Sequence, residues 1–338
     1  MSRLAAILGL EGPALSAEER AFFRDVKPWG FILFRRNIET PDQVRGLVDQ
    51  LRDCVGRPDA PVLVDQEGGR VARFGPPHWP IYPPGRAYGA LGPVRGREAA
   101  RLGARLIAAD LAAVGVNVDC VPVLDVPQPG AHDVIGDRAY GETAAMVGLL
   151  GRAACEGLIA GGVLPVIKHI PGHGRAGADS HHDLPVVDAA RDVLEAVDFE
   201  AFRHVSDMPL AMTAHVVYTA IDRRRCATVS RRVISKVIRQ SIGFDGLLMS
   251  DDLSMKALGG DFGSRTRQAL SAGCDVVLHC NGDMTEMKAV ASAAGALRGR
   301  AARRAELALA RAPKAAEPFD AAEARARLLE AMRGVWEP

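Results

Sequence analysis

Eight short runs of apolar residues, rich in β-branched side chains, recur along the chain at positions 5–8, 30–34, 61–64, 116–121, 164–167, 210–213, 247–250 and 276–278. Segments with helical period and helical caps separate them. A run that is short and apolar along its whole length is a strand buried on both faces, as in a parallel sheet covered by helices. Eight such units predict an α/β fold of the TIM type, a closed (β/α)8 barrel, over an open doubly wound sheet. The open alternative also lacks its fingerprint. The first run leads into Gly9-Leu10-Glu11-Gly12-Pro13, with no G-x-G-x-x-G to start a dinucleotide-binding helix.

The intervening segments carry their own signals. Ser16 with Glu19 and Thr40 with Gln43 read as capping boxes, and Pro41 takes a first helical position. Val44, Leu47, Val48 and Leu51 form an i, i+3, i+4, i+7 stripe. After the eighth run come Ala/Arg-rich helical patterns over 301–312 and 321–333, with Pro313 and Pro318 between them, expected to pack on the outside of the barrel. The predicted organisation is a catalytic barrel over 1–300 with C-terminal helices over 301–338, without a linker, repeat or second core.

A chain of 338 residues accommodates one barrel of about 250 residues plus insertions. Its 42 Lys+Arg against 41 Asp+Glu leave a net charge of +1, which supplies no general basic field for nucleic acid. Cys54, Cys120, Cys155, Cys226, Cys274 and Cys280 lie in apolar segments without a CxxC pair, the pattern of buried free thiols in a reducing compartment. The apolar stretch 4–10 is broken by Gly9 and meets Glu11, so it reads as a core strand and not a secretion signal. No window reaches the roughly 18 apolar residues of a spanning helix. A cytoplasmic protein with no membrane or nucleic-acid partner is expected.

In such barrels the chemistry stands at the carboxyl ends of the strands. The third run is followed by Asp65-Gln66-Glu67-Gly68-Gly69-Arg70-Val71-Ala72-Arg73, and the fourth by Asp125 and a loop with Asp137 and Arg138. The fifth ends in Lys168-His169-Ile170-Pro171-Gly172-His173-Gly174 and leads to Asp179-Ser180-His181-His182-Asp183. His215 follows the sixth, Asp251-Asp252 ends the seventh, and His279 and Asn281 follow the eighth. Carboxylates, cations and imidazoles gathered at one mouth suit a polyhydroxylated ligand and proton transfer on it. Alternation puts Asp251 on one face with Leu247 and Met249 and Asp252 on the other, and leaves open which face looks inward. Lys168 and His169 end an apolar strand, where an unpaired charge is costly, so both are expected in the cavity. Glu67 with Arg70 reads as a supporting ion pair. The proline-rich loop 76–88, with Trp79, Tyr82 and Tyr88, reads as a stiff structural loop in preference to a sugar-stacking platform.

The motifs Lys168 to Gly174, Asp179-Ser180-His181 and Ser250-Asp251-Asp252-Leu253-Ser254-Met255 resemble those of bacterial β-N-acetylglucosaminidases of glycoside hydrolase family 3, with Ile170 where Phe is usual. Asp65 to Arg73 and Ile135-Gly136-Asp137-Arg138 fit the same pattern. The resemblance implies a barrel enzyme of the Gram-negative peptidoglycan-recycling type that removes terminal non-reducing N-acetylglucosamine from fragments containing 1,6-anhydro-N-acetylmuramic acid. It implies retention through a covalent glycosyl-enzyme on Asp251, with His181 as acid/base paired to Asp179. It makes Asp65, Arg73, Arg138, Lys168 and His169 substrate ligands, with no cofactor and no metal, in a monomer whose partner is a muropeptide or other N-acetylglucosaminide. An imidazole with an ordinary pKa near 6.5 can donate and then accept a proton near neutral pH. Gly172, Gly174 and Gly177 suit a loop that moves His181 over the substrate.

Three other readings use the same residues. A metal-dependent hydrolase could draw ligands from His169, His173, His181, His182, Asp179 and Asp251, but the H-x-H expected at the end of the first strand is absent. A sugar-binding barrel without turnover does not need Asp251 together with the Asp179/His181 pair. Phosphorolysis stays open, since a His acid/base carries no negative charge to repel phosphate.

Overall fold

In the computed structural model the eight runs are eight parallel strands closed into one barrel, each bonded to its neighbours in chain order. They are β1 (Leu4–Leu8), β2 (Pro28–Leu33), β3 (Val62–Val64), β4 (Val118–Asp119), β5 (Leu164–Ile170), β6 (Leu210–Thr213), β7 (Leu247–Asp252) and β8 (Val276–His279). β8 closes onto β1 through the pairs Ala6/Val277 and Leu8/His279. The structure describes residues 3–180, 183–313 and 315–338. Among these, no helix is long and apolar enough to cross a membrane. All six cysteines are buried free thiols.

Side-chain alternation divides each strand between two cores. Ala5 and Ile7, Leu164 and Val166, Leu247 and Met249, and Val276 and Leu278 fill the barrel interior. The residues between them, such as Ala6, Ile167, Leu248 and Val277, pack outward against the helices. Trp29 lies in the interior with no exposure, and its indole N–H has no partner among the described residues. The first of the C-terminal helices, Gly299–Leu309, closes the floor. Its Ala305 and Ala308 join the interior cluster, while Arg304 reaches Asp245 and Asp275 just ahead of β7 and β8. Small side chains are what allow a helix to sit that close. The helix Ala321–Met332 packs on the long helix Gly92–Ala112.

The cap at Ser16 is reciprocal, with the Glu19 N–H donating to Ser16 Oγ at 3.1 Å and the Ser16 N–H donating to Glu19 Oε2 at 2.9 Å. The expected second box is one-sided. Thr40 Oγ1 accepts from the Gln43 N–H at 3.2 Å, but Gln43 Oε1 accepts from Glu39 at 2.9 Å while its amide donates to Pro13 and Asn37 carbonyls. Pro41 and the stripe Val44, Leu47, Val48, Leu51 stand as read, with all four stripe residues buried.

Trp29→Ala removes the largest interior side chain and should cost about 3–5 kcal/mol, seen as a lower urea midpoint. Trp29→Phe, which also deletes an unpartnered buried N–H, should cost much less.

Candidate active site

The interior rows continue upward past their apolar layers. Two residues beyond Ile32, Leu63, Val166, Met249 and Leu278 stand Phe34, Asp65, Lys168, Asp251 and Cys280, and all ten except Leu63, Val166 and Met249 line one cavity of about 280 Å³. Because Leu247 and Met249 face inward, Asp251 does too, which settles the face that alternation left open. Asp252 reaches only the cavity's edge, because its carboxylate is turned back toward the segments after β7 and β8. Its Oδ1 accepts from the N–H groups of Ser254 (3.0 Å) and Cys280 (3.1 Å), and its carboxylate also accepts from Ser254 Oγ. The next helix, Phe262–Ala272, is capped by Asp261, whose carboxylate accepts from the Ser264 N–H at 2.7 Å.

Lys168 is the centre of an ion network. Its Nζ lies 2.8 Å from Asp65 Oδ1 and 2.7 Å from Glu67 Oε1, with the side chain only 2% exposed. Arg73 Nη2 binds the other oxygen of Asp65 at 3.0 Å, and its guanidinium stacks 5.0 Å from the Phe34 ring centre. Arg138 grips Glu67 with a fork, Nε to Oε2 and Nη2 to Oε1, both 2.8 Å. Burial alone would raise the Asp65 and Glu67 pKa values, but Lys168 with Arg73, and Lys168 with Arg138, hold both below the carboxylate range, Glu67 at about 2. Burial opposes the Lys168 charge, yet the two carboxylates raise its pKa above the usual value. Asp119, behind Asp65 on β4, accepts from the Gln66 N–H at 2.9 Å, and burial pushes its carboxyl well above the usual range.

The expected Glu67–Arg70 pair is therefore replaced. Arg70 reaches outward to Asp137 at 3.0 Å and Asp133 at 3.5 Å, while Glu67 belongs to Lys168 and Arg138. The i, i+2 spacing of Asp65 and Glu67 was the available signal, since it puts both on one side of an extended run. Gly68 makes the turn beyond them, with φ +92° and room for no Cβ, which would lie 2.2 Å from the Pro83 carbonyl oxygen.

A second unit rests on Asp125, which is fully buried. It accepts from His173 N–H at 2.6 Å and from His169 N–H at 3.3 Å, and its Oδ2 lies 2.7 Å from His169 Nδ1. Its pKa lies below the usual value, because the histidines outweigh the burial that would raise it. His169 enters the cavity beside Lys168, as expected. His173 also lines it; burial lowers its pKa to about 4, and its Nδ1 has no partner among the described residues. His215 lies beneath, with Nδ1 2.6 Å from Thr228 Oγ1 and Nε2 3.0 Å from the Asp252 carbonyl. Asp125 and His215 are thus supports that do not line the cavity. His279 and Asn281 also stay outside it, both bonded to Glu286.

The cavity brings together Asp65, Arg73, Arg138, Lys168, His169 and Asp251. Asp179 is not among its lining residues, whereas its neighbour Ser180 is. His181 lies outside the described residues. The loop that carries it is anchored on both sides: His132 N–H bonds the Ala176 carbonyl at 2.9 Å, and Val186–Val187 pairs with Val217–Tyr218. Trp79, Tyr82 and Tyr88 are buried away from the cavity, Trp79 edge-on to Phe74 and Tyr82 bonded to Asp110, as a structural loop requires. Among the described residues the phenyl ring in the cavity is Phe34, marked in the sequence only by its place at the end of β2. Among the described residues, no group of three or more His, Cys, Asp or Glu is arranged to hold a metal ion.

Residues 4–311 match the family model described as the glycosyl hydrolase family 3 N terminal domain. The chain is 41% identical to a β-hexosaminidase of Alkalilimnicola ehrlichii over 285 residues, 81% of this chain and 80% of that protein. It is 36% identical to the β-hexosaminidase of Bordetella pertussis over 287 residues, 83% and 81% of the two chains. A family 3 β-N-acetylglucosaminidase from a Paenibacillus species superposes with a TM-score of 0.85 at 31% identity, over 97% of this chain and 67% of the other. NagZ of Neisseria gonorrhoeae, solved in complex with N-trifluoroacetyl-D-glucosamine, gives 0.79 at 31% identity over 92% and 98%.

His173 provides a pH test. Its folded pKa of about 4 lies below the unfolded value near 6.5, so between these values the unfolded chain binds the extra proton. Stability should therefore fall on acidification through this window, by up to about 3 kcal/mol from this residue. Urea midpoints at pH 7 and pH 4.5 should differ less in His173→Gln than in wild type; equal differences would exclude the assignment.

Proposed function

The chain belongs to glycosyl hydrolase family 3 as a β-N-acetylhexosaminidase, and from that premise we propose that it is a retaining exo-enzyme that releases terminal N-acetylglucosamine through a glycosyl-enzyme on Asp251. One observation carries the nucleophile. Of the four carboxylates lining the cavity, Asp65 and Glu67 are neutralised by Lys168 and arginines, and Asp252 accepts from the Ser254 N–H and hydroxyl and from the Cys280 N–H. Among the described residues Asp251 accepts only from the Asp252 N–H, at Oδ1 and 2.8 Å away, and no donor meets its other oxygen. It is the carboxylate left to attack an anomeric carbon.

The same inventory supports an acid/base of another kind. Asp65 and Glu67 hold their protons too weakly to donate at neutral pH, and His173 is neutral there. The proposed donor is His181, oriented by Asp179, on the loop that follows β5. It protonates the leaving oxygen in the first step and takes a proton from water in the second. Asp65, Arg73, Lys168 and His169 are proposed to bind the sugar hydroxyls, with Arg138 contributing from the cavity wall while its fork holds Glu67. The proposed substrates are peptidoglycan fragments bearing N-acetylglucosamine on 1,6-anhydro-N-acetylmuramic acid, with or without peptide, met in the cytoplasm by a monomeric enzyme. These rest on the motif resemblance and on the similarity to NagZ.

Asp251→Ala should lower kcat on an aryl N-acetylglucosaminide by about 10³-fold or more, with the circular dichroism spectrum unchanged. Turnover near wild type would refute the nucleophile. His181→Ala should lose about 10²-fold or more on a substrate with a poor leaving group and much less on a nitrophenyl one. Equal losses on both would remove the acid role.

A further inference from the structure

The net charge of the chain is near zero, but its positive charge is not evenly spread. The segments that follow β6 and β7, which start on the face where Asp251 stands, carry Arg223-Arg224-Arg225 in a loop, Arg231-Arg232 at the start of a helical segment, and Arg265 and Arg267 in the helix Phe262–Ala272. They shape two adjoining grooves. One, of about 390 Å³, is walled by Arg224, Arg225, Arg265, Leu184, Leu258 and the Gly259-Gly260 backbone. The next, of about 290 Å³, is walled by Arg231 and Arg267, and Arg225, Val229 and Gln268 belong to both. Neither lining contains a carboxylate. Elsewhere arginines face acids, as in Arg138–Glu67, Arg175–Asp198, Arg239–Asp275 and Arg304–Asp245. Among the described residues Arg224, Arg225, Arg231 and Arg267 form no ion pair. The nearby acids are engaged locally: Asp222 accepts from Ser230 Oγ and the Arg224 N–H while its charge offsets part of that of Arg225, and Asp261 caps its helix. Arg265 gives its protons to the Gly260, Leu253 and Met255 carbonyls and adds field without being free to fork.

The grooves begin where the cavity ends. Met255 and Ser180 line the cavity, while Ala257 and Leu258 line the first groove. The Ala257 N–H bonds the Ser180 carbonyl at 3.3 Å, so the two walls are one connected piece, at most about 7 Å of chain apart. We infer that this arginine groove binds the carboxylates of an acidic peptide carried on the leaving sugar, as a subsite beyond the cavity. The inference rests on the proposed exo-cleavage, which leaves the aglycone side of the bond to project from the cavity mouth. A guanidinium pairs with a carboxylate in a planar fork, and Leu184, Val229 and Leu258 offer aliphatic contact to peptide side chains. A nucleic acid fits less well, because among the described residues neither lining includes an aromatic ring for a base to stack on.

The test compares three substrates in wild type and in the double variant Arg224→Glu/Arg225→Glu, both exposed positions. The first is a neutral aryl N-acetylglucosaminide. The second is an N-acetylglucosaminyl disaccharide with an acidic peptide on its leaving sugar, and the third is the same compound with its carboxylates amidated. Wild type should favour the acidic over the amidated compound by about tenfold in kcat/KM at low ionic strength. At about 1 M salt, where the Debye length is near 3 Å, that preference should collapse. The double variant should lose or invert the preference while keeping the neutral aryl activity within about twofold. Equal kcat/KM for the two disaccharides in wild type overturns the groove, as does a preference that survives in the variant or a loss shared by the aryl substrate. Wild-type protein that cleaves none of the three overturns the exo-glycosidase reading instead.

Discussion

A lysine ammonium buried at the top of the barrel is the constraint around which the mouth is arranged. Lys168 cannot be left unpaired where it stands, since removing a charge from water without a partner costs several kcal/mol. Two carboxylates answer it, each oriented by its own arginine, so three cations face Asp65 and Glu67. Each member is fixed by at least one charged neighbour, and the sugar-facing donors and acceptors are therefore held before any ligand arrives. The network also removes Asp65 and Glu67 as proton donors by binding their ionised forms. Substrate binding and the choice of acid are in this way two results of one electrostatic arrangement.

Much of this was readable because a buried strand has a period of two. The eight apolar runs mark the barrel, and the rows that fill its interior lead directly to Asp65, Lys168 and Asp251 at its mouth. The same rule fails for His169, which adjoins Lys168 and yet shares its cavity; that pair was legible only from the cost of burying charge at the end of an apolar strand. Partner choice was the least legible feature. Arg70 and Arg138 are equally plausible matches for Glu67 by sequence, and the decision lies in loop geometry that brings the Arg138 fork across from the segment after β4. Gln43 shows the same limit on a smaller scale, since a side chain three residues into a helix can reach the residue before the cap as readily as the cap itself.

The distribution of charge refines the reading of a neutral chain. Net charge bears on long-range steering and solubility, but a ligand meets the local field. Inside the cavity the charges are matched and directional, which suits an uncharged sugar ring. Outside it, on the same face, a groove whose lining is rich in arginine and holds no acid carries a positive field. A neutral total conceals both conditions, because the excess in the groove is balanced by acids elsewhere on the surface.

An imidazole acid/base is consistent with that field. A carboxylate in the same role would carry a negative charge whenever it acts as base, close to a leaving group that, in the proposed substrate, brings carboxylates of its own. An imidazole alternates between positive and neutral and at no stage repels them. Asp179 would supply its counter-charge from behind without entering the cavity, in keeping with a residue that Ser180 separates from the lining. On the proposed assignment, the replacement of the usual second carboxylic acid by histidine and the exclusion of carboxylates from the adjoining groove answer the same requirement, that nothing negative stand where an acidic aglycone must sit and depart.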